Sequence, residues 1–154
     1  MDEIFQDEEL DNPETDAKVV EWRDEYVTGI KLIDKENMEL VDTANRLWEK
    51  CINGGADDPA FFKDIVEQVV GYIKDHFAAE EKILTATNYP EQKELKKEYD
   101  DFTADILTLV KEFENGEKLA PNRFARRIRD WVLSHVALTD AKYKSYIERY
   151  LNRK

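Results

Sequence analysis

Apolar side chains recur at spacings of three and four along four stretches of this chain, the period of a helix that buries one stripe. The first stretch predicts a helix over roughly 34–53, with Val41, Ala44, Trp48 and Cys51 on its stripe and Gly54 and Gly55 ending it. Carried back by four, the same stripe lands on Asn37. The second opens at "DDPAFF", where Asp58 suits an N-cap and Pro59 the first turn, and it carries Phe62, Ile65, Val69 and Ile73 inward. That stripe continues through His76 and Glu80 to Ile83. The third begins just after "NYP" with Leu95, Tyr99, Phe102, Ile106, Leu109 and Phe113. The fourth begins near Pro121 and Asn122 with Phe124, Ile128, Trp131 and His135, and a further helical segment runs to about Leu151. Four stripes joined by short loops predict an all-α fold, an up-down-up-down four-helix bundle.

Before these helices, "VVEWRDEYVTGIKLID" spaces Trp22, Tyr26 and Ile30 by four and reads as an arm that packs its aromatics on the bundle. Residues 1–18 are rich in acids and poor in apolar groups, so they predict a disordered acidic tail, with residues 19–154 as one domain. The tail and the arm are the two places where a protein partner would dock. Tyr143, Tyr146 and Tyr150 predict a short C-terminal helix over the bundle end.

Composition narrows the function classes. A net charge of −12, with Lys and Arg scattered among more numerous acids, excludes nucleic acid as an expected partner. No apolar run approaches the roughly 18 residues of a membrane span, so no membrane contact is expected, and a start of "MDEIFQDEEL" suits a cytoplasmic protein better than an exported one. The one cysteine, Cys51, lies in an apolar pattern and reads as a small packed hydrophobe. Trp22, Trp48 and Trp131 read as packing. With no Gly-rich phosphate loop and no nucleophile beside a base, the chain is not expected to be an enzyme.

The chemistry lies on the inner stripes. The chain has two histidines, and each is followed by an acid: His76 by Glu80, and His135 by Asp140 in "HVALTD". A carboxylate inside a bundle costs several kcal/mol unless it is paired, hydrogen-bonded or bound to a metal. His76 and Glu80 share a helix face. Asp140 sits about 140° around an ideal helix from His135, so it joins the site only if the helix bends or carries a π-bulge there.

These landmarks, in order, resemble the hemerythrins, including their bacterial single-domain relatives. The resemblance covers roughly residues 19–150: the arm with Trp22 and Tyr26, "HFAAEE", "NYPEQKELKKEYDDF" and "WVLSHVALTDAKY". It implies a bundle around two bridged non-haem irons that reversibly bind dioxygen, held by five histidines and two bridging carboxylates. Carried over by position, it places ligands at His76, Glu80, His135 and Asp140. The other three imidazole positions fall on Asn37, Leu95 and Tyr99.

Two readings follow. In the first, which the replacements favour, the bundle is metal-free or nearly so: Leu95 fills volume, Asn37 and Tyr99 donate to the stranded carboxylates, and the domain serves as a binding or scaffold protein that carries no oxygen. In the second, His76, Glu80, His135 and Asp140 gather a single divalent metal, iron, zinc or manganese, or a weak pair, with Tyr99 or water completing the sphere, for oxygen or redox sensing or storage. The obstacle to the second is that two histidines belonging to different irons must reach one ion.

Overall fold

The structure is a computed structural model that describes residues 18–152. Among those residues it is all helical. Helix α1 spans Lys31–Asn53, α2 Pro59–Ala86, α3 Gln92–Glu114 and α4 Ala120–Trp131; a π-helical segment, Val132–Thr139, then leads directly into α5, Asp140–Asn152. Helix α1 packs on α2 and α4, and α3 packs on the same two, which closes the expected four-helix bundle.

Local chemistry sets the boundaries. The Asp58 carboxylate accepts from the Ala60 amide at 3.2 Å with Pro59 following, and Gly54, at φ +99°, turns the chain out of α1 where a side chain would be strained. Helix α1 starts at Lys31, earlier than its apolar pattern suggests, because Asp34 points back to the arm. Its carboxylate accepts from the Thr28 amide, the Thr28 hydroxyl and the Gly29 amide, so the turn that holds the arm also opens the helix. Asn45 fixes the other end of the arm, accepting from the Val19 and Val20 amides and donating to the Val20 carbonyl. Trp22 and Tyr26 meet edge to face between these anchors, with Tyr26 buried. The acidic segment of residues 1–17 lies outside the described residues.

The buried stripes differ in detail from those read by periodicity. In α1, Ile33, Asn37, Leu40, Val41, Ala44 and Leu47 are buried, while Trp48 and Cys51 are only half-buried. Arg126 covers the Trp48 ring at 5.3 Å, and burial pushes the Cys51 thiol up to about 11 although Arg126 opposes it, which fits an unreactive packed thiol. In α2, Tyr72 and Leu84 take the inward positions expected for Ile73 and Ile83. A step of three from Val69 to Tyr72 sets the steps of four that place His76, Glu80 and Leu84. Tyr146 on α5 donates to the carbonyls of Thr87 at 2.6 Å and Asn88 at 3.0 Å, closing the bundle end as expected. Tyr143 does not join it there: the face it shares with Asp140 turns it into the core, where it is fully buried. No helix among the described residues is long and apolar enough to cross a membrane.

Candidate metal centre

Each of the four bundle helices brings at least one polar side chain to the same level of the core, α3 adding the apolar Leu95 beside it. Helix α1 contributes Asn37, α2 His76 and Glu80, α3 Leu95 and Tyr99, and the α4–π–α5 run His135 and Asp140, all buried. His76 and Glu80 arrive together because they are one turn apart. His135 and Asp140 arrive together because of the π segment: the Asp140 amide donates to the His135 carbonyl, a five-residue closure in place of the α-helical four. Ser134 lies in this stretch and returns its hydroxyl to the Asp130 carbonyl at 2.8 Å, a side-chain competitor for the backbone where the ladder widens.

One nitrogen or oxygen from each of His76, Glu80, His135 and Asp140 lies within 4.8 Å of all the others. That compactness removes the obstacle of reach, since both imidazoles aim at one carboxylate. His135 Nε2 is 3.1 Å from Glu80 Oε1 and 3.2 Å from Asp140 Oδ1, and His76 Nε2 is 3.6 Å from the same Glu80 oxygen.

The residues at the replaced positions hold these carboxylates. Tyr99 donates to Glu80 Oε1 at 2.6 Å, and Asn37 Nδ2 donates to Asp140 Oδ2 at 3.1 Å. The Asn37 amide is itself oriented, because Tyr72 donates to its oxygen at 2.8 Å and the Trp131 indole donates to the Tyr72 oxygen at 3.1 Å. Leu95 is fully buried and apolar. Each carboxylate therefore has one oxygen engaged by a donor, while Glu80 Oε2 and His76 Nε2 make no hydrogen bond and neither does Asp140 Oδ1, although it lies 3.2 Å from His135 Nε2. A buried polar atom left in that state costs about 1–3 kcal/mol. The three unpartnered atoms come from ligand-forming side chains, so the donors present fit a metal ion.

Two residues outside the apolar stripes complete the arrangement. Glu36 Oε1 lies 2.9 Å from His76 Nδ1, and Glu98 Oε1 lies 3.1 Å from His135 Nδ1 while also accepting from the Thr139 hydroxyl. A carboxylate on Nδ1 fixes the ring so that Nε2 faces the site, the relation found behind metal-bound histidines. Sequence periodicity does not single these out, because each is an ordinary helix-surface acid; the signal was their place beside stripe positions, Glu36 before Asn37 and Glu98 before Tyr99. Trp131 also does more than pack. It stacks on His135 at 4.1 Å and 13°, while Tyr72 stacks on His76 at 4.6 Å and 16°, so each imidazole plane is fixed by an aromatic face.

Proton affinities follow from this crowding. Burial disfavours the charged His135 ring, yet Asp140 and Glu80 outweigh it and raise the imidazole well above its usual range. Burial likewise opposes charge on Glu80, but His135 beside it wins and holds that carboxyl well below its ordinary value. Asp140, buried beside the Glu80 charge, is pushed up to about 7 although His135 pulls the other way. The three groups thus titrate together: the crowding favours charge on His135 and Glu80, while Asp140 holds its proton more tightly than an ordinary carboxyl. His76 is not matched to a bridging carboxylate in the way its spacing suggests; its short contact is with Glu36.

Residues 28–147 match the family model described as "Hemerythrin HHE cation binding domain". The chain is similar to a bacteriohemerythrin of Stenotrophomonas maltophilia (23% identical, covering 86% of this chain and 84% of the relative). It is also similar to a bacteriohemerythrin of Clostridium acetobutylicum (27%, 79% and 96%) and a myohemerythrin of Theromyzon tessulatum (27%, 80% and 90%).

Proposed function

The chain belongs to the hemerythrin family, and from that premise we propose that it is a metal-binding member holding one transition-metal ion at His76, Glu80, His135 and Asp140, in place of a dioxygen-carrying pair. One observation carries the reading: Tyr99 and Asn37 engage one oxygen of each carboxylate that the family resemblance assigns as a bridge, while the other oxygen makes no hydrogen bond, Asp140 Oδ1 lying 3.2 Å from the His135 ring. A carboxylate with one oxygen committed to a donor offers a single oxygen to a metal. Two such carboxylates and two imidazoles make the ligand set of one iron, manganese or zinc ion. The chain has no further histidine to serve a second ion. A bound ion would supply a Lewis-acidic or one-electron centre at these residues.

The protein's own groups would hold the ion and move protons. Glu36 and Glu98 orient the rings with Nε2 inward, and Asp140 and His135, which hold protons tightly in the apo protein, would have to give them up to serve as ligands, so uptake would be coupled to proton release. We read the role as binding, for storage or sensing, without turnover.

The same Tyr99 and Asn37 hydrogen bonds support the second reading, a metal-free bundle whose polar core is closed by donors and whose arm or acidic segment meets a protein partner. Metal analysis separates the two. The protein is purified without chelator, stripped, and titrated with Fe(II) under nitrogen, Mn(II) and Zn(II). The expected result is one equivalent per chain, lost in the H76A/H135A double variant. Two equivalents would restore a dinuclear site, and no uptake would leave the scaffold.

A further inference from the structure

Among the described residues, four buried side-chain nitrogen and oxygen atoms lack a hydrogen-bond partner: His76 Nε2, Glu80 Oε2, Asp140 Oδ1 and Tyr143 Oη. Three belong to the metal cluster. The fourth is a phenol oxygen on a side chain with no exposed surface; it approaches the Glu80 carboxylate, with Asp140 the other charged neighbour, but makes no well-formed hydrogen bond to either. Tyr143 lies three residues after Asp140 on α5, so the two share a helix face. Other buried phenols near the site have clear partners: Tyr72 donates to Asn37, and Tyr99 to Glu80.

The geometry points to Tyr143 as a fifth protein ligand of the ion, its oxygen entering the same coordination sphere as Glu80 Oε2, Asp140 Oδ1 and the two imidazoles. This assignment rests on the single-ion reading and narrows it. Tyr99 is not the residue for the role, because its hydroxyl is committed to Glu80 Oε1. On binding, the O–H bond of Tyr143 breaks, the oxygen keeps the electron pair and shares it with the ion, and the proton passes to solvent; nothing is oxidised. Glu80, Asp140 and the phenolate then supply three anionic oxygens beside two nitrogens. Such a set matches hard Fe(III) better than borderline Zn(II).

Apo-protein is loaded with Fe(III) from ferric nitrilotriacetate, desalted, and read by iron content, visible absorption and resonance Raman scattering. The expected result is one iron per chain with a phenolate-to-iron charge-transfer band and tyrosinate ring modes. Y143F should lose the band and bind Fe(III) about tenfold or more weakly. Y99F should keep it. The hydroxyl that Y143F removes makes no well-formed hydrogen bond, only an approach to Glu80, so apo Y143F should melt close to wild type. If Y143F fails to fold, 3-fluorotyrosine placed at position 143 keeps the ring and should shift the band. One bound iron without a band, a band that survives in Y143F, or a band unmoved by the fluorine overturns Tyr143 as a ligand and leaves the ion site standing. Failure of wild type to take up Fe(III) and Zn(II) alike overturns both.

Discussion

The two halves of this bundle use the same helices to different ends. Toward one end, Leu47 and Ala44 of α1, Phe62, Ile65 and Val69 of α2, Phe102 and Ile106 of α3, and Phe124 and Ile128 of α4 form an apolar core. There Phe62 stacks on Phe113 at 4.0 Å and meets Phe124 edge to face at 5.2 Å. Toward the other end the same stripes carry Asn37, His76, Glu80, Tyr99, His135 and Asp140, and this half contains the four unpartnered buried atoms found among the described residues. The apolar half is closed by packing alone; the polar half keeps atoms waiting for a partner. The difference shows where stability and function reside: burial in the first half offsets the cost of holding ligand-forming groups in the second.

The largest expected effect breaks the comparison from the apolar side. Phe62→Ala removes a ring in contact with α3 and α4 and should lower unfolding free energy by about 3–5 kcal/mol in chemical denaturation. Metal stoichiometry of the fraction still folded should stay at one. A change in metal affinity as large as the change in stability would show that the halves are not separable.

The apolar half was legible in the sequence because periodicity reports it directly: Phe62, Ile65, Val69, Phe124 and Ile128 are predicted inward and found buried. The polar half was legible only in part. His76 and Glu80 could be paired by helical spacing, whereas Asp140 depended on a π segment that no local pattern dictates, since spacing gives the condition and not the outcome. Tyr143 shares its local pattern with Tyr146, and only the packed structure separates a buried phenol from one that caps the bundle end. Glu36 and Glu98 escaped notice because an acid beside the buried stripe looks like any solvated helix position until its tertiary partner is known.

A smaller effect sharpens the contrast within the polar half. Glu36→Gln keeps an acceptor for His76 Nδ1 but removes the charge that makes the imidazole a better donor. Metal affinity should fall about 10–100-fold, by competition against a fluorescent chelator, with little change in apo stability. Glu98→Gln should do less, since its side chain is 39% exposed against 15% for Glu36 and solvent already screens its charge. Equal losses would show that charge near the rings matters and the buried contact does not.

The smallest effect is a slope whose sign differs between the apo and metal-bound protein. In the apo protein Asp140 and His135 hold protons more tightly than in the unfolded chain, so their contribution is full at low pH and is lost as pH rises. For Asp140 the window runs from about its ordinary value of 3.8 to about 7, and for His135 it continues upward from there. Glu80 acts oppositely, but only as pH falls below its ordinary 4.5. Apo melting temperature should therefore decline from pH 5.5 to 8 at fixed ionic strength. A metal ion displaces those protons, so its stabilisation grows over the same range and the loaded protein should decline less or rise. In H135A/D140N the apo slope from these groups should vanish, while Phe62→Ala should keep the wild-type slope at a lower temperature. A slope that follows the apolar variant instead would place the pH sensitivity outside the cluster.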